Sequence, residues 1–321
     1  MTPARTARRT ARAAALLAVL SAAITAGATS ASAAPSFLRQ TPQTAAAVTA
    51  AVTPVDVLAV VGTNTQLYVK TTDQVGYDNL GGALIDAPGL AVGDQPYFVG
   101  IGTNNNVYVR TYDQGWAPLG PKGTNCSGAS VAIVGNAMAV ACRGSNGRLY
   151  VGKAVADATT SGRLPRITSF QNRGGQLLFG ATVGVNKDAF YYDVIGTNRL
   201  VYEATDTSGL RPVAGSPTCN SSLAIDAVTG GGVACRAEDG ALLVLSNATG
   251  QFVKIPGAIV GRPAVSVDDN GTSRYYALGT NRKIYTASQS PTGVITGFRN
   301  APAGSGLFGL VSGSLTGTPL N

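Results

Sequence analysis

The chain has no histidine among its 321 residues. That absence excludes the Ser-His-Asp and Cys-His arrangements of nucleophilic catalysis, and ordinary His-ligated metal sites with them. Charge is scarce: Asp, Glu, Lys and Arg together make 12%. No segment after the first 54 residues shows an amphipathic helical period of ten or more residues, so a doubly wound α/β fold is not expected. Tryptophan occurs once, as Trp116. No C-x-x-C spacing joins the four cysteines, which argues against zinc. No metal and no cofactor is expected. Glycine, by contrast, is abundant at 41 residues, a profile that suits many short strands joined by tight turns.

The N-terminus reads as a secretory leader. Arg5, Arg8, Arg9 and Arg12 form a basic start, an Ala/Leu-rich run covers residues 13–28, and Ala31-Ser32-Ala33 is a small-x-small cleavage site. The run is short of the roughly 20 residues that span a bilayer, and no later segment is apolar enough to do so. The Arg8-Arg9 pair lacks the hydrophobic pair expected of a twin-arginine signal, and the export route stays open. Cleavage near Ala33 removes four of the 24 basic residues and none of the 16 acidic ones, leaving 20 − 16 = +4. Lys and Arg are not clustered, so no nucleic-acid partner is expected. Residues 34–54 are Ala/Thr/Pro-rich and read as a linker. Residues 55–321 are the folded domain.

That domain repeats. A motif G-T-N-x-x-[LVI]-Y occurs as GTNTQLY (62–68), GTNNNVY (102–108), GSNGRLY (144–150), GTNRLVY (196–202) and GTNRKIY (279–285), with a degenerate AEDGALL (237–243). Its Asn or Asp positions are Asn64, Asn104, Asn146, Asn198, Asp239 and Asn281. They are spaced by 40, 42, 52, 41 and 42 residues. The long interval contains DATTSGRLPR (157–166), a loop insertion. Apolar residues precede each motif and alternating residues follow it, with turn-forming Gly and Asn between, so each motif is a β-hairpin. A lead-in strand and a trailing strand flank each hairpin. The trailing strand starts near Tyr77, Trp116, Phe170, Leu210, Phe252 and Phe298. Four strands in about 42 residues make a propeller blade. The expected fold is an all-β propeller of six four-stranded blades, with seven as the alternative. The C-terminal segment GLFGLVSGS (306–314) supplies the strand that the first blade lacks.

The cysteines fall into the repeats as two pairs. Cys126 and Cys219 each precede a lead-in strand, and Cys142 and Cys235 each end the next strand. This predicts disulfides Cys126–Cys142 and Cys219–Cys235, in keeping with export to an oxidising compartment.

The stretch LGGALIDAPGLAVGDQPYFVGIGTNNNVYVRTYDQGWAPLG (80–120) resembles the repeat of bacterial propeller lectins of the PLL-like type, and is similar to tectonin and tachylectin propellers. Tyr77, Leu80-Gly81-Gly82, Ala87-Pro88, Gly102-Thr103-Asn104 and Val107-Tyr108 occupy the matching places. The likeness covers most of residues 55–314. It implies a carbohydrate-binding protein. Those lectins are Trp-rich, whereas here Tyr68, Tyr108, Tyr150, Tyr202 and Tyr285 replace the Trp that follows the turn, and Leu243 does so in the fifth unit.

The expected function is therefore a secreted, lectin-like propeller with shallow repeated sites and no enzymatic activity. Its candidate ligand contacts are Trp116, Tyr77, Tyr68 and Tyr108, since ring faces pack on the apolar faces of sugars. The first reading of these rings is nevertheless packing, because a residue that recurs once per blade most often packs one blade on the next. The alternative function is a protein-interaction or cell-envelope propeller without a sugar site, so the partners are glycans or a surface protein. A glycoside-cleaving enzyme is a remote third reading. It would need paired carboxylates, and the acids Asp73, Asp113, Asp268 and Asp269 sit in turn sequences.

Overall fold

The computed structural model describes residues 55–301 and 308–317, apart from 72–73, 187, 227–231 and 269. The leader and linker (1–54), Asp73 and Asp269 lie outside the described residues. The first blade starts with β1 (Val55–Gly62), β2 (Leu67–Thr71) and β3 (Asp78–Gly81). The second holds β4 (Gly89–Val92), β5 (Pro96–Ile101), β6 (Val107–Arg110) and β7 (Ala117–Pro118). The third holds β8 (Cys126–Val134), β9 (Ala137–Gly144), β10 (Leu149–Val155), the four-residue helix α1 (Ala158–Ser161) and β11 (Phe170–Gly174). The fourth is β12 (Thr182–Asn186), β13 (Ala189–Ile195), β14 (Val201–Thr205) and β15 (Arg211–Pro212). The fifth is β16 (Ala234–Arg236), β17 (Leu242–Leu245) and β18 (Phe252–Ile255). The sixth is β19 (Ile259–Val267), β20 (Ser273–Gly279), β21 (Ile284–Gln289) and β22 (Ile295–Asn300). The last strand, β23 (Phe308–Gly317), returns to pair with β1.

Every pairing is antiparallel, and the six sheets form a six-bladed β-propeller. The expected closure is present: β23 runs beside β1 from Val55↔Gly317 to Gly62↔Phe308 and completes the first blade. In the fifth blade the described part of the lead-in segment pairs through the bridge Ala224↔Ala234, beside the strands β16, β17 and β18. Lead-in strands lie at the axis, where Gly89, Ser130, Thr182, Ala224 and Pro263 come together.

Strand alternation divides the side chains between two neighbouring blades. On β13, Tyr192 and Val194 join the core shared with the third blade, whereas Tyr191 and Ile195 pack with Leu223, Val233 and Cys235 of the fifth. Each blade is thus buried on both faces, which explains the near-continuous apolar runs in the sequence.

The hairpin turns differ from the expected chemistry in one respect. The left-handed backbone falls one residue after the conserved Asn or Asp, on Thr65, Asn105, Gly147, Arg199, Gly240 and Arg282. That conformation turns the carbonyl out of the blade. The carbonyls of Thr65, Asn105, Gly147, Arg199 and Gly240 each accept the amide of the first residue of the next unit: Leu84, Cys126, Leu177, Cys219 and Ile259, at 2.7–3.0 Å. One such backbone bond therefore ties each of the first five blades to its successor.

Both expected disulfides are formed, Cys126–Cys142 and Cys219–Cys235, with Cα atoms 5.7 and 5.9 Å apart. Their placement has a structural reason. The connections entering the third and fifth blades, residues 119–125 and 213–218, are longer than the two-residue links (82–83 and 175–176) that enter the second and fourth. Each disulfide pins the end of a long connection to its blade.

Candidate functional site

The two irregularities of the repeat meet at one place. The long connection 119–125 leaves the second blade, and the insertion 157–169 leaves β10 of the third. They touch where the Ile167 amide donates to the Leu119 carbonyl at 2.6 Å. The insertion is also anchored at its start, because the Ala158 amide donates to the buried Tyr97 hydroxyl at 2.8 Å. Between these segments and the hairpin turn of the third blade lies an open cleft of about 410 Å³.

Its walls combine two rings with a polar floor. Tyr150 and Phe170 supply the rings, and Thr124, Ser145, Thr168 and Ser169 supply hydroxyls. Tyr150 is held in place: its hydroxyl accepts from Asn146 Nδ2 at 3.0 Å, and its ring lies where a Cβ on Gly144 would stand 2.5 Å away. Phe170 packs on Gly120 and Gly152, where a Cβ would meet the ring at 2.6 and 3.0 Å. The floor is shaped by the Gly123 amide, which donates to Asn106 Oδ1 at 2.8 Å. The Thr124 hydroxyl is buried with no hydrogen-bond partner, and the exposed residues Ser145, Thr168 and Ser169 carry the hydroxyls that a ligand can reach. Lys122 is the one charged residue among the described residues of the lining, and no carboxylate is among them. The acid pair that glycoside hydrolysis requires is not in this cleft.

The sequence-predicted contacts occupy the equivalent positions of the first two blades. Tyr68 and Tyr108 correspond to Tyr150, and each hydroxyl accepts from its own turn Asn, at 2.9 Å from Asn64 and 2.8 Å from Asn104. Trp116 and Tyr77 correspond to Phe170. Trp116 is wedged in the seam between the first and second blades, where Cβ atoms on Gly82 and Gly100 would lie 2.5 and 3.3 Å from the indole. Its Nε1 donates to the Gly81 carbonyl at 3.3 Å, and the Arg110 guanidinium lies 5.9 Å from its ring centroid. Tyr77 is half-buried against the cluster of Leu58, Val60 and Tyr276, and burial pushes its hydroxyl up to about 12. The structure therefore distributes the four predicted residues over two blades instead of gathering them. It opens a cleft beside their third-blade counterparts. The sequence signal for that cleft was the single 52-residue interval between repeats.

A second polar group of side chains bridges the first and second blades. Tyr112 donates to Asp78 Oδ2 at 2.8 Å, and Gln74 Nε2 donates to the same oxygen at 2.9 Å. Burial and the Asp78 carboxylate push the Tyr112 hydroxyl up to about 12. Between the third and fourth blades, Asp206 accepts from Lys153 Nζ and from the Tyr192 hydroxyl, both at 2.6 Å. These are satisfied internal networks. The expected turn roles hold for two acids: Asp113 is exposed, and Asp268 Oδ1 accepts the amides of Asn270 and Thr272. Among the described residues no three His, Cys, Asp or Glu gather as a metal site, and no helix is long and apolar enough to cross a membrane.

No protein-family model and no curated protein matches the chain. Its fold does match solved structures. TolB from Acinetobacter baumannii superposes with a TM-score of 0.55 at 13% identity, covering 83% of this chain and 67% of that one. AofleA from Arthrobotrys oligospora gives 0.52 at 10% identity, covering 83% and 90%. The fucose-specific lectin from Aleuria aurantia gives 0.51 at 12% identity, covering 75% and 89%. At these identities the likeness is one of fold, and the class it defines is the β-propeller.

Proposed function

We propose that this chain is a secreted carbohydrate-binding propeller, and that the cleft between its second and third blades is a sugar site. The observation that carries the reading is the pairing of two closely packed rings, Tyr150 and Phe170, with the exposed residues Ser145, Thr168 and Ser169 in an open cleft of about 410 Å³. Sugars present apolar CH faces to rings and hydroxyls to polar groups, and this lining offers both. The pairs Tyr68/Tyr77 and Tyr108/Trp116 are the same device in the first two blades, so weaker subsites repeat around the ring and act together through multivalency. A fucose-specific lectin shares the fold, and the repeat resembles PLL-like and tectonin lectins. The two disulfides fit an oxidising environment, in keeping with export directed by residues 1–33.

The test is a glycan array probed with the wild type and with Phe170→Ala. Binding by the wild type that the folded variant loses supports the reading. If the wild type binds no glycan, the protein-interaction propeller replaces it. That second reading draws on one observation: the only Trp of the chain is engaged between blades by Gly82 and Arg110.

A further inference from the structure

One register position separates the fourth blade from the others. Where the second strand of a blade faces the third, the paired residues are Ala59↔Val69, Val99↔Val109, Ala141↔Val151 and Ala234↔Val244, with Tyr276↔Thr286 in the sixth blade. In the fourth blade the pair is Asp193↔Glu203. By strand alternation both point to the face of Tyr191, Ile195 and Val201, which packs on the fifth blade. Asp193 is 1% exposed. Neither of its oxygens has a hydrogen-bond partner, and Glu203 Oε2 is likewise buried without one.

With Asp193 buried and Glu203 half-buried, two ionised carboxylates side by side carry a large cost in desolvation and repulsion. Directly opposite residues have Cβ atoms about 5 Å apart, and both groups would be acceptors only. We propose that Asp193 and Glu203 share one proton in the folded protein, and that this proton holds the seam between the fourth and fifth blades. A single proton converts two repelling acceptors into a donor and an acceptor, and removes one of two charges at a site where Asp193 is buried and Glu203 half-buried.

The surroundings agree. Burial first, and the Glu203 carboxylate second, hold the Asp193 carboxyl well above the usual range, while burial pushes Glu203 up to about 7. The other ionisable groups near the pair do not oppose this. Tyr191 lies two positions earlier on β13, and the fifth-blade acid Asp226 acts on Tyr191 while its Oδ2 accepts the Val267 amide at 2.9 Å. From β12 the register partner of Asp193 is Thr182, which does not titrate. From β15 the partner of Glu203 is Arg211, whose side chain is exposed. A bound cation is the less economical solution, because calcium takes six or more oxygens and no third acid joins the pair among the described residues.

Protonation is favoured in the folded state, so its stabilising effect is complete below the free carboxylate range near 4 and is lost as pH rises through about 7. The experiment is thermal unfolding of the full chain between pH 5 and pH 8, beside the double variant Asp193→Ala/Glu203→Val. That variant recreates the Ala–Val pair of three other blades and keeps the fold testable. Relative to it, the wild type should lose about 3 °C of midpoint per pH unit. Glu203→Gln, which supplies a permanent donor, should show a shallower decline than the wild type. Parallel midpoints for wild type and double variant across this range would overturn the proposal. So would a midpoint at pH 8 that millimolar calcium restores in the wild type but not in the double variant.

Discussion

Asn146 donates from Nδ2 to the Tyr150 hydroxyl at 3.0 Å, while its Oδ1 accepts the amide of Arg148 at 3.2 Å. One side chain thus closes the turn and fixes the ring. The ring bond recurs as Asn64–Tyr68, Asn104–Tyr108, Asn198–Tyr202 and Asn281–Tyr285, at 2.8–3.0 Å. In the fifth blade Asp239 still accepts the Ala241 amide, but a carboxylate cannot donate and Leu243 cannot accept, so Asp239 pairs with Lys254 instead. The Tyr ring in turn requires a glycine before the turn, because a Cβ on Gly144 would sit 2.5 Å from it.

The first prediction separates these two effects. Tyr150→Phe removes a partly exposed hydrogen bond and should cost about 1 kcal/mol. Gly144→Ala drives a methyl into the ring and should cost about 1–3 kcal/mol. Urea unfolding of the two variants measures the order, and a Gly144→Ala protein as stable as Tyr150→Phe would show that the ring is free to move.

Left-handed backbone at Thr65 gives the second prediction. Its φ of 65° is unfavourable for a β-branched residue, yet its carbonyl must face the Leu84 amide at 2.8 Å. The third and fifth blades solve the same problem with Gly147 and Gly240. Thr65→Gly should therefore raise stability by up to about 1 kcal/mol, relief of the left-handed strain outweighing the added chain entropy. A fall in the unfolding midpoint would show that the strain is already relieved elsewhere.

Much of this architecture was legible in the sequence, because the repeat carries it. The six turn positions, the C-terminal closing strand and both disulfide partners follow from spacing alone, since each repeated unit has to bury the same two faces. What escaped was set by departures from the repeat. The cleft beside Tyr150 depends on the Ile167–Leu119 backbone bond between two irregular loops, and no local pattern encodes a contact between loops. The seam position of Trp116 depends on Gly82 of the preceding blade, which the sequence offers only as a turn residue.

The third prediction concerns that seam. Gly82 has φ +98°, and a Cβ there would lie 2.5 Å from Trp116 Nε1. Gly82→Ala should destabilise by about 2 kcal/mol or more, through both backbone strain and displacement of the indole. Trp116 fluorescence reports the displacement directly, since it is the only tryptophan of the chain. An unchanged emission maximum in a destabilised variant would leave strain as the sole cause.

Opening each disulfide tests the long connections. Cys126→Ser/Cys142→Ser and Cys219→Ser/Cys235→Ser each remove a link across 16 positions, on the order of 3 kcal/mol on chain-entropy grounds. The first should also weaken any ligand held by the cleft, because Cys126 ends the connection that forms its floor, whereas the second should leave that ligand untouched. Equal effects of the two on binding would detach the cleft from the disulfide beside it.

The last prediction concerns closure. β23 pairs with β1 from Val55↔Gly317 to Gly62↔Phe308, and it is the only described strand that joins the C-terminal segment to the first blade. A chain ending at residue 305 therefore exposes the inner edge of β1, an apolar strand of sequence VDVLAVVG. Unpaired edges of that kind recruit other strands. The truncated chain should unfold at lower temperature and elute as larger species on gel filtration. Synthetic peptide 306–321 added in excess should shift it back towards monomer, because the ring is completed by non-covalent pairing alone. Proline at Val311, the register partner of Val60, removes a backbone donor from the strand and should blunt the rescue if that amide points to β1. A truncated chain that stays monomeric with an unchanged midpoint would mean that the five remaining blades and β1–β3 hold the ring without the closing strand.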